Sequence, residues 1–398
     1  MIDARAARND PDEFRRKLAR KGAAEAFDAW LAADEAWRAL VPRVDELRAR
    51  TKQQGKPSPE QIAELRGVKE ELQQAERELA DAEATRELLL RQLPNPPDDS
   101  APDGTSEEDA VEIRRWGEPP VLADPKEHTE IGRFEMERAA RLSGSRFGYV
   151  VGDSALVALA LYRFAVETAS RHGHVPLLPP VLVREEAMYG TGFFPTERSN
   201  IYAIESDELY LTGTSEVALA GFHMGEVIED DLPLRYSAFS TNFRREAGAA
   251  GKDTRGMFRV HQFNKVELFV FCEPSASTDE HERLLAVEEE ILQTLGLPYR
   301  VVNVAAGDLG APAAKKYDCE GWFPFQQRYR ELTSTSNTTD FQARRLGIRY
   351  RTGKSLEAVH TLNGTATTDR TLLAILENFQ GEVPEVLRQY GAPERAQN

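Results

Sequence analysis

The sequence predicts an α+β protein in which helices flank an antiparallel sheet, preceded by an N-terminal antiparallel pair of α-helices that forms a coiled-coil arm. Two observations predict this fold. Apolar residues recur at spacings of three and four over two long N-terminal segments, which is the pattern of an amphipathic helix. Farther along, strand-like segments follow one another through connections too short for the crossover helix that parallel strands require. The 398 residues, 41% of them apolar, suffice for a substantial core.

The arm is predicted from two heptad-like runs and the breaker-rich segment between them. The first run begins at Trp30, the second begins at Leu65, and residues 51–59 between them read TKQQGKPSP. Two amphipathic helices joined by a Gly/Pro turn pack as an antiparallel hairpin. The second helix, expected over 58–92, would be on the order of 50 Å long. We therefore expect a projecting arm, with a bend in its first helix at Pro42.

A proline-rich and acidic segment marks the expected domain boundary. Residues 93–110 read LPNPPDDSAPDGTSEEDA, a composition typical of an extended, solvated linker. The expected domains are a helical arm over 1–100 and a larger domain over 101–398, with its core at about 150–380. Within the larger domain we expect helices at 154–171, 279–295 and 371–379, and strands at 232–246, 255–271 and 328–337.

Composition and charge exclude several classes of protein. A net charge of −16 argues against general nucleic-acid affinity. Residues 41–56 nevertheless carry a local basic excess, so the arm is either a plain solvated coiled coil or a surface that contacts phosphates. No apolar run approaches the roughly 20 residues of a membrane helix, and the N-terminus lacks a signal-peptide core, so a cytoplasmic protein is expected. Cys272 and Cys319 lack metal-ligand spacing and are expected to be free, buried thiols, with no zinc.

The alternation in the strand over 257–271 predicts one apolar and one polar face. The apolar face would carry Phe258, Val260, Val266, Leu268 and Val270, and the polar face Arg259, His261, Phe263, Lys265 and Glu267. An ordinary half-exposed sheet also carries charges. This pattern alone therefore does not distinguish such a sheet from a functional surface.

A nucleoside triphosphate site is suggested by a second polar strand. Glu331 stands close to Thr333 and Ser334 on the strand over 328–337, and carboxylate and hydroxyl oxygens suit Mg²⁺. The chain contains neither GxGxxG nor GxxxxGK[ST]. We therefore expect a nucleotide site without a phosphate-binding glycine loop.

Four long motifs give the chain a specific resemblance. They are GHVPLLPPVLV at 173–183, FRREAGAAGKDTRGMFRVHQFNKVE at 243–267, AAGDLGAPAAKKYDCEGWFPFQQRYRELTSTSNTTDFQARR at 305–345 and HTLNGTATTDRTLLAILEN at 360–378. The first resembles motif 1, the second motif 2 and the fourth motif 3 of class II aminoacyl-tRNA synthetases. Over almost its full length, the chain resembles the seryl-tRNA synthetases of the bacterial type.

The resemblance implies a ligase that consumes ATP in two steps. L-serine and ATP would form seryl-adenylate and pyrophosphate, and the seryl group would then pass to the 3′ end of serine tRNA. It implies Mg²⁺ as the companion of ATP, an arm that grips the long variable arm of serine tRNA, and a homodimer formed through motif 1, which includes Pro180. Selenocysteine tRNA is left open as a second acceptor.

The resemblance also implies a role for each matching residue. Arg244 and Arg370 would be catalytic, the first bridging the serine carboxylate and the α-phosphate and the second holding the terminal phosphate. Glu246 would read the adenine edge and Phe263 would stack on the ring. The implied ATP site is Arg244, Arg245, Glu246, Val260, Phe263, Glu331, Leu332, Thr333, Ser334 and Arg370. The implied serine site is Thr214, Ser215, Glu216, Arg244, Glu267 and Thr365, and the implied Mg²⁺ ligands are Glu331 and Ser334.

Motif 3 departs from the common bacterial pattern. The stretch NGTATTDR at 363–370 is one residue shorter than usual, and Asp369 lies directly beside Arg370. Two alternatives to an ordinary synthetase follow. One is a specialised paralogue that activates serine for a biosynthetic acceptor, and the other is a non-catalytic paralogue that binds tRNA.

Overall fold

The computed structural model describes residues 1–52, 59–247, 253 and 256–396. The chain divides into two compact units, Met1–Pro96 and Pro97–Asn398, and the division falls inside the proline-rich segment. The turn predicted between the two arm helices lies almost entirely outside the described residues. A helix long and apolar enough to cross a membrane is absent from the residues that the structure describes.

The first unit is helical, and its long helices confirm the predicted hairpin pattern. Its core contains Leu18, Phe27, Trp30, Leu90 and Leu93, all nearly inaccessible to solvent. A second apolar seam between the two long helices joins Val44 and Leu47 to Val68 and Ala75, as expected of heptad packing. The helices are α1 (Ala4–Asn9), α2 (Pro11–Ala19), α3 (Ala24–Thr51), which includes Pro42, and α4 (Pro59–Gln92).

A buried carboxylate ties the helices of this unit together. The Asp34 side chain on α3 is fully buried, and its oxygens accept hydrogen bonds from Arg8 (3.0 Å), Arg38 (2.9 Å) and Arg86 (2.7 Å). Burial alone would raise the pKa of Asp34, but the hydrogen bonds from Arg86 and Arg38 bring it below its ordinary value. This ionic cluster therefore joins α1, α3 and α4.

The second unit consists of a large sheet, smaller sheets and flanking helices. The helices are α5 (His128–Ile131), α6 (Met136–Ser143), α7 (Asp153–Arg171), α8 (Glu185–Thr191), α9 (Glu216–Ala220), α10 (Ser277–Thr294), α11 (Phe341–Leu346), α12 (Asp369–Phe379) and α13 (Glu385–Arg388). The strands are β1 (Val111–Trp116), β2 (Phe134–Glu135), β3 (Tyr149–Val150), β4 (Val175–Leu177), β5 (Leu182–Val183), β6 (Tyr202–Ile204), β7 (Leu209–Leu211), β8 (Val227–Ile228), β9 (Leu234–Phe243), β10 (Gln262–Cys272), β11 (Tyr299–Asn303), β12 (Lys315–Phe323), β13 (Arg328–Asn337), β14 (Arg349–Thr352), β15 (Ser355–Ala358) and β16 (His360–Thr368).

The large sheet confirms the predicted antiparallel architecture. Its strand order is β1-β11-β12-β13-β16-β10-β9-β4. Its pairs are antiparallel except for β4 with β9. The main core contains apolar residues of β10, β11 and β16 together with residues of α7, α10 and α12. Cys272 and Cys319 are both buried free thiols in this unit.

Two predicted strands are shorter than expected, and the first of them, expected over 232–246, spans only Leu234–Phe243. The segment expected as strand over 255–271 enters the sheet only at Gln262, whereas the strand over 328–337 has the predicted bounds. Just before Gln262, the Met257 N–H donates to a side chain, His128 Nε2. Phe258 and Val260 are nonetheless buried in the core, so their apolar character reflects tertiary packing rather than strand alternation.

Two β-bulges set which side chains share the polar face of the sheet. Between β12 and β13, Cys319 pairs with Thr333 and Glu320 with Glu331, which leaves Leu332 as an extra residue. An extra residue reverses the alternation locally, so Glu331 and Ser334 face the same side.

The second bulge acts on β16 in the same way. Val266 of β10 pairs with Thr367, whereas Glu267 pairs with Thr365, so Ala366 is the extra residue. Thr365 and Thr368 consequently face the same side of the sheet.

Candidate active site

A first pocket lies over the polar face of β10, β13 and β16. It gathers most of the residues that the resemblance assigns to ATP. Those that line it are Arg244, Glu246, Val260, Phe263, Glu331, Leu332, Thr333, Ser334 and Arg370. Arg245 is the exception. Its exposed guanidinium lies 5.7 Å from the centre of the Tyr202 ring, and its backbone N–H donates to the backbone carbonyl of Asn200.

A second pocket opens beside the first and gathers most of the residues assigned to serine. Thr214, Glu216, Arg244, Glu267 and Thr365 line it. Ser215 is not among the residues lining this pocket; it is buried, and its hydroxyl has no hydrogen-bond partner in the described part of the chain.

Arg244 lies where the two pockets meet. It follows the end of β9 and lines both pockets. Its Nε donates to Gly213 O at 3.0 Å, and its guanidinium carbon lies 5.2 Å from the centre of the Phe263 ring. Its backbone N–H donates to His261 O at 2.9 Å. A planar cation held in this way can contact ligands in both pockets.

Glu246 is ion-paired within the first pocket. Arg259 Nη1 donates to Glu246 Oε2 at 2.5 Å, and Arg259 Nε also lies 3.7 Å from Asp253 Oδ2. Glu246 has a φ of +53°, which is uncommon for a residue with a side chain. A ligand that hydrogen-bonds to Glu246 would have to share or replace Arg259.

Arg370, near the N-terminus of α12, is anchored by contacts within the first pocket. Its Nη1 donates to the carbonyl of Glu331 at 3.1 Å and to Glu331 Oε2 at 3.2 Å. Its guanidinium carbon lies 4.6 Å from the centre of the Phe258 ring, within the range of a cation–π contact. Asp369 is directed elsewhere, because its carboxylate accepts hydrogen bonds from Tyr162 and from Asn264 N–H.

Cations around Glu331 keep this carboxylate ionised. Burial would raise its pKa, but Lys316, Arg370 and Arg244 together lower the pKa of Glu331 to about 2. Lys316 Nζ lies 2.8 Å from Asp318 Oδ1 and 3.8 Å from Glu331 Oε1. Burial raises the pKa of Asp318 to about 7, although Lys316 opposes the shift.

The donor set for Mg²⁺ is small. The bulge in β13 places the Glu331 carboxylate and the Ser334 hydroxyl on one face, beside the first pocket. Both are hard oxygen donors of the kind Mg²⁺ prefers. Within the described ranges, no group of three or more His, Cys, Asp and Glu side chains could hold a metal ion. An ion held by these two oxygen donors would take its remaining ligands from phosphates and water.

Glu216 begins α9 and provides a buried carboxylate in the second pocket. Its Oε1 accepts hydrogen bonds from Gln342 Nε2 at 2.7 Å and from Asn363 Nδ2 at 3.0 Å. Burial, with the neighbouring carboxylate of Glu267, raises the pKa of Glu216 to about 7. Gln342 and Asn363 are site residues that the sequence alone did not assign.

Lys265 is a further site residue that sequence reasoning left unassigned. Its Nζ donates to Thr214 Oγ1 at 2.7 Å and forms an ion pair with Glu267, and the side chain lines both pockets. Burial raises the pKa of Glu267, and the Lys265 ammonium opposes that rise. The alternation of β10 already placed Lys265 on the same face as Phe263 and Glu267, which is the signal that could have identified it.

A buried carboxyl group on α10 supports the floor of the site. Glu288 Oε2 accepts from Thr333 Oγ1 at 2.7 Å, and its Oε1 accepts from Thr365 N at 3.0 Å. Burial raises the pKa of Glu288 well above its ordinary value. A Cβ atom on Gly364 would lie 2.9 Å from Glu288 Oε1, so a side chain there would disturb this contact.

Two family models match this chain, and curated relatives match it over nearly its full length. Residues 200–379 match the tRNA synthetase class II core domain (G, H, P, S and T), and residues 1–97 match the seryl-tRNA synthetase N-terminal domain. The serine-tRNA ligase of Mycolicibacterium vanbaalenii is 47% identical over 411 residues, covering 98% of each chain. That of Acidothermus cellulolyticus is 48% identical over 413 residues, also covering 98% of each chain.

Solved structures extend the similarity to three dimensions. Seryl-tRNA synthetase from Pyrococcus horikoshii, complexed with ATP, is 37% identical and superposes with a TM-score of 0.94 over 100% of this chain and 99% of that one. Cytoplasmic serine-tRNA ligase from Naegleria fowleri, in complex with AMP, is 32% identical, with a TM-score of 0.89 over 98% of this chain and 96% of that one. By its fold, its paired pockets and these relatives, the chain belongs to the seryl-tRNA synthetase family of class II aminoacyl-tRNA synthetases.

Proposed function

We propose that this protein is a serine-tRNA ligase that activates L-serine with ATP and transfers the seryl group to the 3′ end of serine tRNA. The observation that carries the proposal is the junction of the two pockets, which share Arg244, Lys265, Glu331, Ser334 and Thr365. A nucleotide in the first pocket and an amino acid in the second would meet there. This is the geometry that attack of a carboxylate on an α-phosphate requires.

Arg244 would serve as the bridging cation in the first step. A guanidinium can donate two parallel hydrogen bonds to a carboxylate or a phosphate. Placed at the junction, it would hold the serine carboxylate against the α-phosphate and stabilise the charge that develops on the phosphate oxygens. Its carbonyl acceptor Gly213 and the Phe263 ring support its present orientation.

The second pocket has the polarity that serine requires. Serine brings an ammonium and a hydroxyl group, and the Glu216 and Glu267 carboxylates with the Thr214 and Thr365 hydroxyls can hydrogen-bond both. Alanine would leave buried polar groups without partners. Comparable sites reject an analogue that lacks the hydroxyl by a factor of up to ~10⁴ in kcat/KM. Threonine would be excluded by its size.

The first pocket offers a stacking surface and polar groups for ATP. Phe263 would lie against the adenine and Arg370 would hold the terminal phosphate, while Glu246 would read the adenine edge once Arg259 exchanges partners. Glu331 and Ser334 would hold Mg²⁺, which supplies charge neutralisation to the phosphates when it is bound. We propose Arg245 and Ser215 as flanking residues, since neither lines its expected pocket.

The first unit would provide the tRNA grip. On the described surface of α3 and α4, Arg43 lies 3.5 Å from Glu78, and Arg48 lies 3.0 Å from Glu76. Since these basic residues already face acidic partners, the arm would recognise the shape of serine tRNA more than its net charge.

A homodimer formed through motif 1 completes the proposal. At the edge of the large sheet, Val175 and Leu178 are 54% and 87% exposed, and Pro180 follows them. Exposed apolar residues of this kind are typical of an interface. We propose a cytoplasmic location, in keeping with a role in translation.

Charging of serine tRNA tests the proposal. The full chain should serylate serine tRNA, and a chain lacking residues 34–91 should still form seryl-adenylate but lose most charging. A variant with Arg244→Ala should lose both activities. Adenylate formation without tRNA charging by the full chain would instead favour the biosynthetic paralogue, and tRNA binding without adenylate formation would favour the non-catalytic one. Selenocysteine tRNA belongs in the same assay.

A further inference from the structure

We propose that helix α12 positions the nucleotide-contacting segment 257–263 through two buried carboxylates, Asp369 directly and Glu377 through His128. The inference rests on the proposed function, because it concerns the residues that would contact ATP. Asp369, His128 and Glu377 act as positioning residues in this account. Asp369 lines the first pocket, but both of its carboxylate oxygens accept hydrogen bonds from protein groups, Tyr162 and Asn264.

The link through His128 begins at the far end of α12. Glu377 is fully buried, and His128 is 1% exposed. His128 Nδ1 lies 2.8 Å from Glu377 Oε1, and the Met257 N–H donates to His128 Nε2 at 3.3 Å. Because Nε2 accepts, Nδ1 carries the proton and donates to the carboxylate. The imidazole thus connects the helix to the start of the segment.

Gly256 shows how closely the backbone approaches this imidazole. Its φ is +68°, and a Cβ atom there would lie 2.7 Å from His128 Nε2. A side chain at this position would clash with the ring as well as strain the backbone. The chain therefore passes His128 at a distance that only glycine allows.

The second link is made by Asp369 at the start of α12. Its carboxylate accepts from the hydroxyl of Tyr162 on α7 and, at 2.9 Å, from Asn264 N. Asn264 directly follows Phe263, and Thr241 Oγ1 donates to its side chain at 2.9 Å. The backbone immediately after the stacking ring is therefore fixed to the same helix.

Segment 257–263 lies between these two links, so the links determine where its residues meet ATP. Segment 257–261 lies outside the sheet, so sheet hydrogen bonds do not place its first residue. The whole segment 257–263 contributes Phe258, Val260 and Phe263 to the first pocket. Since α12 also carries Arg370, one rigid helix sets the spacing between the adenine surface and the arginine assigned to the terminal phosphate. A displacement of about 1 Å at such a site can lower the reaction rate on the order of 100-fold.

Matched pairs of variants test each link. His128→Gln places an amide oxygen near the position of Nε2 and can still accept from Met257, whereas His128→Asn is too short to do so. Asp369→Asn can keep both hydrogen bonds, with Tyr162 as acceptor, whereas Asp369→Ala loses both. ATP affinity of the whole protein is measured by calorimetry without serine, the KM values for ATP and for serine by pyrophosphate exchange, and folding by thermal unfolding.

The expected result is a selective loss of nucleotide binding. His128→Asn and Asp369→Ala should weaken ATP binding about 10- to 100-fold, with the KM for serine within about threefold of the parent and a folded protein at the assay temperature. Each conservative variant should bind ATP at least about threefold more tightly than its disruptive partner, because Asp369→Asn keeps both hydrogen bonds and His128→Gln keeps the acceptor for Met257 although it loses the donor to Glu377. If one disruptive variant fails to fold, the other pair decides the outcome.

Three results would overturn the inference. One is unchanged ATP affinity in both disruptive variants. Another is an equal loss of ATP and serine affinity, which would indicate a general structural role. Tighter ATP binding by Asp369→Asn would assign Asp369 an electrostatic role and also contradict the inference. Because ATP affinity is measured by calorimetry, an absence of serine activation would count against the proposed function alone.

Discussion

Arg370 Nη1 lies 3.2 Å from Glu331 Oε2, so the arginine assigned to the terminal phosphate is ion-paired with the carboxylate assigned to Mg²⁺. Neither side chain is fully buried, since 25% of Arg370 and 43% of Glu331 is exposed. An ion pair with this exposure stabilises the fold only modestly. In the proposed function, nucleotide and metal would therefore separate the two at low cost, each taking one member of the pair.

The metal role proposed for Glu331 predicts a selective effect on Mg²⁺ dependence. Glu331→Gln keeps the size of the side chain but removes the charged ligand, so the Mg²⁺ concentration for half-maximal pyrophosphate exchange should rise by at least about tenfold. Glu320→Gln is the matched control, because Glu320 is the cross-strand partner of Glu331 on β12. An equal effect of the two substitutions would show that general charge, and not ligation, is responsible.

The pKa of Glu216 predicts how serine binding varies with pH. Because burial and Glu267 raise this pKa to about 7, the carboxylate form grows as pH rises through 7, while the ammonium of serine stays protonated. Serine should therefore bind more tightly at pH 8 than at pH 6, by roughly tenfold, as measured by calorimetry. Glu216→Gln should bind serine weakly and lose this pH dependence. A pH-independent affinity in the parent protein would contradict the assignment.

The same shift has a consequence for the stability of the free protein. The folded-state pKa of Glu216 lies above its ordinary value of 4.5. Glu216 therefore stabilises the folded protein below pH 4.5, and this stabilisation is lost as pH rises through about 7. A bound ammonium offsets this loss. Serine should consequently raise the melting temperature more at pH 8 than at pH 6, and the reverse order would count against a raised pKa.

Glu288 provides a prediction about the sheet beneath the site. Glu288→Ala would leave Thr365 N–H without its acceptor and create a cavity, at a cost of about 2 to 4 kcal/mol in the free energy of unfolding. Glu288→Gln should cost far less, because the raised pKa favours an uncharged carboxyl group that glutamine resembles. Chemical denaturation measures both. Equal destabilisation by the two substitutions would show that a charged Glu288 is required.

Asp34 allows the two units to be tested separately. Removing a buried carboxylate that pairs with three arginines costs about 3 to 5 kcal/mol in comparable cases. Asp34→Ala should therefore destabilise the helical unit and reduce tRNA charging while sparing serine-dependent exchange. Asp28→Ala is the control, because Asp28 pairs with Arg15 at the surface with 51% of its side chain exposed. A parallel fall in exchange would argue against separate roles.

The sequence predicted the fold because its signals were local and repeated. Heptad spacing identified α3 and α4, and period-two alternation identified β9, β10 and β13. The start of β10 was placed too early, since the buried residues Phe258 and Val260 imitate strand alternation. Helical hairpins and antiparallel strands depend on neighbouring residues, whereas the packing of segment 257–261 depends on His128, more than a hundred positions away.

The site was predictable where motifs name residues and less so where tertiary contacts decide. Simple alternation would have put Glu331 and Ser334 on opposite faces, and only the bulge at Leu332 brings them to the same side. Glu288 lies on a helix under the sheet, and no linear pattern links it to Thr333 or Thr365. Arg245 is adjacent to Arg244 in sequence, yet its exposed side chain contacts Tyr202 instead of the pocket.

Serine-dependent exchange of pyrophosphate into ATP tests the central claim most directly. The account predicts exchange that requires L-serine, is on the order of 10⁴-fold weaker with alanine, and is abolished by Arg244→Ala, since Arg244 lies at the junction of the pockets. Exchange with no amino acid, or exchange that favours alanine or threonine over serine, would contradict it.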